Sequence, residues 1–296
     1  MRGSGVRIPR RPPIWFTIPF SCPVRLQFEN ARRAPMSGSH HLLLESNAQV
    51  IGAWKQFARR ATSGVVFERD GLAVTFANSP MPIVNAQFLS SPAPDAADFE
   101  RRVAAACAYA KGVGLPWIFS VCNEWAPPEA VSIVTAAGLA VMMPWTGMVA
   151  EALAPPARPM PLLDIRPTYN DAQAQHDVMA LNAAAYGMPV EPMLTMNSPG
   201  MWTAEMYGRV GYVDGVAVST ATTFAVDGVL YVALVATHPG HQKKGYAEAL
   251  MRASLEAAAS ATGLTRTVLH ATEAGRPVYT RMGYQPTSTF TCFIGM

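Results

Sequence analysis

Residues 235–247 of this 296-residue chain read VATHPGHQKKGYA. Within them Gln242, Gly245 and Ala247 make a Q-x-x-G-x-A loop directly ahead of a run rich in Ala, Leu and Glu. Small residues at Gly245 and Ala247 let a bulky anion approach the main chain. The unpaired N–H groups of a helix's first turn, reinforced by the helix dipole, would then face that anion. Lys243 and Lys244 supply positive charge beside it. The chemistry implied is phosphate binding. The loop is neither G-x-x-x-x-G-K-[ST] nor the G-x-G-x-x-G of dinucleotide-binding turns. His238 and His241 flank Pro239-Gly240, but no Cys or carboxylate cluster accompanies them, so they read as solvated loop histidines and no metal is expected.

A strand must deliver this loop and a helix must follow it. VLYVALVAT reads as the strand and YAEALMRASLEAAASATG as the helix, with Ala247, Leu250, Met251, Ser254, Leu255 and Ala258 on one face and Gly263 at its end. Upstream, LLDIRP reads as a short strand and NDAQAQHDVMALNAAAYGM as a helix capped by Asn170 or Asp171. WTAEMYGRVGYV, VAVSTATTFAV and VLYVALVAT, separated by Asp214-Gly215 and Asp227-Gly228, predict an antiparallel meander of three strands. After the long helix, TRTVLHAT reads as a strand, GRPVYTRMG as a short helix and TSTFTCFIGM as a last strand. This order is α+β.

The upstream half has a similar rhythm: a hairpin turning at Asp70-Gly71, the run MPIVNAQFLS, a helix capped by Asp95 or Asp98, the strand PWIFSVCN, the helix PPEAVSIVTAAG and a terminal strand region LAVMMPWTGMVAEAL. LAPPARPMP, residues 153–161, reads as a stiff extended linker between the halves. The organisation expected is a basic tail over 1–44, a degenerate α+β half over 45–155, and a mixed sheet flanked by helices over 163–296. Trp117, Trp125 and Trp145 read as core.

The loop and its flanks resemble the acyl-CoA-binding motif of the GCN5-related N-acetyltransferase superfamily, and VLHATEAGRPVYTRMGYQP is similar to that family's later motif. The resemblance covers about residues 163–296. It implies that acetyl-CoA is the acyl donor, that Val235, Ala236 and Thr237 hold pantetheine through backbone hydrogen bonds, and that Lys243, Lys244, Gly245, Tyr246, Ala247 and Glu248 hold pyrophosphate. It also implies a cofactor contact at Thr272 and a catalytic acid at Tyr279, whose phenol stays protonated at neutral pH. Two positions depart from the pattern: Ala247 replaces the commoner second Gly, and Thr267 stands where some members carry a Glu general base. A water chain or Glu191 could replace that base. The upstream half is similar to the non-catalytic part of tandem members and lacks the loop. It would pack against the active half and wall the acceptor site. Met188, Met193, Met196 and Met201 lie where related proteins build that site, a hint of an apolar acceptor. The resemblance implies acyl transfer to a small-molecule or peptide amine. The alternatives are a non-catalytic acyl-CoA-binding or interaction protein and, behind it, another phosphate binder such as a nucleotide protein. Met-rich and aromatic surfaces could close a homodimer or an interdomain face.

Composition narrows the classes further. Seven of the 23 basic residues and one of the 20 acidic residues fall in 1–35, so the remainder carries a net charge of −3 and reads as no nucleic-acid binder. That Arg- and Pro-rich segment loosely resembles an organelle transit peptide; initiation at Met36 is the preferred reading. Cys22, Cys107, Cys122 and Cys292 show no CxxC spacing, which fits a reducing, cytoplasmic compartment. No apolar run reaches the roughly 20 residues of a membrane span.

Overall fold

Three Asp-Gly pairs fold the chain back on itself. At Asp70-Gly71, Asp214-Gly215 and Asp227-Gly228 both residues take left-handed φ values, the geometry whose twist matches paired strands. The computed structural model describes residues 37–296, and their side chains from His40; the readings made for 1–36 lie outside the described residues. The described residues fall within one compact unit.

The elements in chain order are α1 (Ser37–Arg60), β1 (Val65–Arg69), β2 (Leu72–Phe76), β3 (Asn85–Leu89), α2 (Ala96–Val113), β4 (Trp117–Cys122), α3 (Ala130–Ala136) and β5 (Ala140–Ala150). Then come β6 (Asp164–Pro167), α4 (Ala172–Ala185), α5 (Val190–Leu194), β7 (Arg209–Val213), β8 (Val216–Val226), β9 (Val229–Thr237), α6 (Tyr246–Thr262), β10 (Thr267–Ala271), α7 (Arg276–Arg281) and β11 (Gln285–Gly295). Asp95 and Asp171 cap α2 and α4, accepting from the Asp98 and Ala174 amides at 2.8 and 3.0 Å. The expected meander is β7-β8-β9.

All eleven strands belong to one sheet, ordered β1-β2-β3-β4-β11-β5-β10-β9-β8-β7-β6. Pairing is antiparallel except β3/β4 and β10/β9, each joined through a helix, α2 and α6. The closing strands are exchanged. β5, which ends the first segment, pairs with β10 from Thr267↔Ala150 to Ala271↔Thr146. β11, which ends the second, pairs with β4 from Phe290↔Cys122 to Gly295↔Trp117. The two also pair with each other through two bulges. The segments 45–155 and 163–296 thus share one continuous sheet.

Residues 37–44, expected to belong to the tail, are the opening turns of α1. That helix crosses the sheet and donates to both segments: Trp54 Nε1 to the Ile83 carbonyl (2.6 Å), Gln49 Nε2 to that of Val226 (3.0 Å) and Gln56 Nε2 to that of Ala225 (2.6 Å). One buried cluster joins α1 and α4 to Phe224, Tyr231 and Val268. The other holds Leu250, Met251 and Leu255 of α6 with Tyr279 and Met282, against Leu230, Val232 and Leu269. Adjacent strand residues divide between the two clusters, so these are opposite faces of the sheet. Trp117, Trp125 and Trp145 are buried, as expected.

Candidate functional site

The motif loop closes on the helix as its residue types require. Gly245 is the N-cap of α6 at φ 87°, with no side chain to cap the helix. The first bond there is from the Ala249 N–H to the Gly245 carbonyl, 3.1 Å. The amides of Gly245, Tyr246, Ala247 and Glu248 are therefore left over from the helix. Lys243 is also left-handed, at φ 64°, and two such residues around Lys244 curl the chain into a concavity lined by N–H groups. The Glu248 carboxylate turns away to Arg252, 2.8 Å, so only its main chain faces the loop. His238 receives the Gly240 N–H on Nδ1 at 3.2 Å, a local turn contact. Among the described residues, no group of three or more His, Cys, Asp or Glu is placed to hold a metal ion.

The strand leading into this loop parts from its neighbour. β9 and β10 pair from Leu230↔Thr267 to Val232↔Leu269 and no further, although β9 continues to Thr237. Along the same stretch β9 carries an extra residue against β8: Thr220 faces Ala236 while Thr222 faces Ala233. The bulge sits at Leu234, φ 52°, and the amide of buried Asn182 on α4 reaches the Leu234 carbonyl at 3.4 Å. The β10-facing backbone edge of β9 beyond Val232, at Val235 and Thr237, is consequently free to pair with an extended ligand, whereas Ala236 turns toward β8, its carbonyl accepting from the Ser219 hydroxyl at 2.9 Å.

Tyr279 and Thr272 stand across this gap. Thr272 follows β10, and its carbonyl receives the Gly275 and Arg276 N–H groups at 3.1 Å each, starting α7. Tyr279 is 9% exposed and belongs to the apolar cluster against which Val235 also packs. Burial, then the neighbouring Tyr186 and Tyr284 phenols, push its ionisation far upward, so it holds its proton at neutral pH. Thr267, standing where a Glu base was sought, is bonded to the Tyr284 hydroxyl at 2.9 Å and buried. Glu191 lies exposed in the first turn of α5.

Behind the gap is a polar chain that motif reading left without a role. His270 Nδ1 is bonded to the Tyr231 hydroxyl (3.0 Å) and Nε2 to Ser46 of α1 (3.1 Å), which meets Ser288 of β11 at 2.6 Å. Gly147 of β5 lies under this cluster, where a Cβ would collide with the Ser46 and Ser288 hydroxyls. Burial lowers the His270 pKa to about 3, only partly opposed by Ser46, so the imidazole is neutral, with one nitrogen donating and the other accepting. His270 was visible as a β10 histidine; its partners come from three distant elements and left no local signal.

The corresponding turn before α2 has the opposite polarity. Arg102, 6% exposed, donates to the carbonyls of Gly71 (3.1 Å), Ser91 (2.8 Å) and Pro92 (3.2 Å) and pairs with Asp98 at 2.6 Å. Carbonyls gathered around a guanidinium, with Asp95 at the N-cap and Asp98 in the first turn, repel a phosphate. The Met segment also serves a different end. Met193, Met196 and Met201 are buried, and Ser198 and Thr195 beside them bond to the Arg60 carbonyl (2.8 Å) and Ser79 (2.6 Å). These methionines pack the 190–201 segment onto the upstream half.

Comparison with known proteins follows the same division. Residues 197–286 match the family model described as the acetyltransferase (GNAT) domain. No curated protein matches the chain. A GCN5-related N-acetyltransferase from Kribbella flavida superposes with a TM-score of 0.62 at 19% identity, over 83% of this chain and 94% of that one. A GCN5-related N-acetyltransferase from Sphaerobacter thermophilus gives 0.54 at 13%, over 76% of each chain. A tandem GNAT protein from the clavulanic acid biosynthesis pathway gives 0.51 at 12%, over 87% and 94%. These likenesses establish the fold.

Proposed function

We propose that this chain, whose residues 197–286 form a GNAT domain, transfers the acetyl group of acetyl-CoA to an amine of a small molecule or peptide. The observation that carries the reading is the uncapped N-terminus of α6 at Gly245, set at the end of a strand whose outer edge is free. Leftover amides suit a pyrophosphate, and an open strand edge suits the amide-bearing pantetheine arm. The fit rests on this chain's own geometry.

Each residue then has a task. Gly245, Tyr246, Ala247 and Glu248 offer main-chain N–H groups to the pyrophosphate, while Lys243 and Lys244 add charge. Val235 and Thr237 align the arm along β9, with Ala236 between them bonded back to β8, and Thr272 adds a contact from the β10 side. Acetyl-CoA supplies a thioester whose carbonyl carbon takes the amine nitrogen as the C–S bond breaks. The main chain near Val235 polarises that carbonyl, and Tyr279 passes its proton to the departing sulfur. The amine gives its surplus proton to solvent, and solvent returns a proton to Tyr279, which restores the phenol. Holding both reactants in one gap supplies much of the acceleration. The upstream half is a degenerate partner: its Arg102-filled turn takes the place of a phosphate cradle, and its β5 completes the sheet beside β10.

Titration of the protein with acetyl-CoA by calorimetry, beside Gly245→Glu, tests this reading. Binding by the parent and its loss, on the order of 100-fold, in a folded variant are expected, because a carboxylate enters the cradle. Binding by the parent without turnover across a broad amine panel would leave an acyl-CoA-binding protein with no transferase activity.

A further inference from the structure

The proline-rich segment between the halves runs over the mouth of the cradle. Its first turn is pinned at Ala154, whose N–H donates to the Met282 carbonyl (2.8 Å) and whose carbonyl takes Arg252 Nη2 (2.7 Å). Its far end is pinned where Met160 and Leu163 pack into the cluster beneath α6. Four prolines lie within residues 153–161, so the span is stiff and presents its side chains at nearly fixed positions. Arg158 is the single charged residue in that span. Its guanidinium rests on the cradle: a Cβ built on Gly245 would stand 2.9 Å from Nη2 and 3.3 Å from Cζ.

The local charge balance makes this placement costly without a ligand. Glu248 is the acid of α6's first turn and is already committed to Arg252. Arg158, Lys243 and Lys244 have no ion-pair partner among the described residues. Three uncompensated cations around the positive end of a helix dipole repel both it and one another. A bound polyanion reverses the sign of each of these contributions. A guanidinium also offers a planar pair of donors that fits two phosphate oxygens at once, which an ammonium does not.

We propose that Arg158, carried on the inter-half strap, is a binding residue for the pyrophosphate of the acyl-CoA substrate, so that the linker forms one wall of the site. The proposal rests on the acyl-CoA reading above. Because the strap is held at both ends, Arg158 is presented with little loss of chain entropy. Substrate binding therefore also steadies the strap.

Calorimetry on the full chain tests this with CoA and with dephospho-CoA, which lacks the 3′-phosphate. The parent, Arg158→Ala, Arg158→Lys and Arg158→Glu are compared, with thermal unfolding as a folding control; Arg158 is exposed and its variants should melt with the parent. Arg158→Ala should weaken both ligands about tenfold, as expected for one lost charge-assisted contact. Arg158→Lys should recover part of the loss and Arg158→Glu should deepen it. Amide exchange in 153–162 should slow when CoA is added to the parent. Unchanged or tighter binding by Arg158→Ala would overturn the proposal, the tighter case meaning that the side chain obstructs the cradle. A loss seen with CoA but not dephospho-CoA would overturn the pyrophosphate assignment. A parent that binds neither ligand would overturn the acyl-CoA reading itself, whereas a binding parent with an indifferent Arg158 overturns only this inference.

Discussion

Acidification should destabilise this fold through His270. The ring lies between Tyr231 (centroids 5.8 Å apart) and Phe290 (5.1 Å), with its nitrogens bonded to Tyr231 and Ser46. The nearest acid along α1, Glu45, is committed to Arg266 at 2.5 Å. Burial lowers the pKa to about 3 from an ordinary 6.5. A group whose folded pKa is depressed takes its proton first in the unfolded chain, so its stabilising contribution is full above pH 6.5 and declines as pH falls toward 3. Each unit is worth about 1.4 kcal/mol. Two units, from pH 6.5 to 4.5, give about 2.7 kcal/mol, and residual solvent contact at the ring trims this to about 2 kcal/mol. Urea unfolding of the parent and His270→Gln at pH 7.0 and 4.5 measures it, since other groups titrate alike in both proteins. The parent should lose about 2 kcal/mol more than the variant over that interval. Equal losses, or a His270 resonance titrating near pH 6.5, would refute the reasoning.

Tyr279→Phe should lower turnover about 100-fold while leaving acetyl-CoA affinity unchanged by calorimetry, since the phenol is assigned to proton transfer; unchanged turnover would remove the acid assignment. Gly147→Ala should cost about 2 kcal/mol in a denaturant titration, because the added methyl collides with the Ser46 and Ser288 hydroxyls; Ser46→Ala in the same chain should recover part of it. Arg102→Met should cost about 2 kcal/mol, because the buried guanidinium is lost from Asp98 and the Ser91 and Pro92 carbonyls lose their donor, while Arg101 still pairs with Asp98, with no gain of CoA binding in the upstream half.

Much of the secondary structure was legible because its causes are local. Asp-Gly at 70–71, 214–215 and 227–228 names three hairpins, and Asp95 and Asp171 name two helix starts. The uncapped start of α6 was legible for the same reason: Gly245 allows the left-handed cap, and the helix that follows leaves its first amides over. The long helix α1 went unread, since its meaning lies in carbonyls of strands up to 177 residues away, such as that of Val226.

The one-dimensional chain thus determined which segments are strands, where they turn, and that one helix starts on a glycine with no side-chain cap. Turn chemistry and helix capping act over a few residues, so residue types alone carry them. The tertiary structure decided which strand lies beside which. β5 and β11, alike in length and both suited to closing a half, each pair across to the other half, and pattern along the chain holds no preference between those partners. That exchange sets Gly147 and Ser288 beside Ser46 and His270, and the packing of the strap sets Arg158 on Gly245. Such meetings follow from the pairing and packing of segments distant in sequence, where local propensity has no reach.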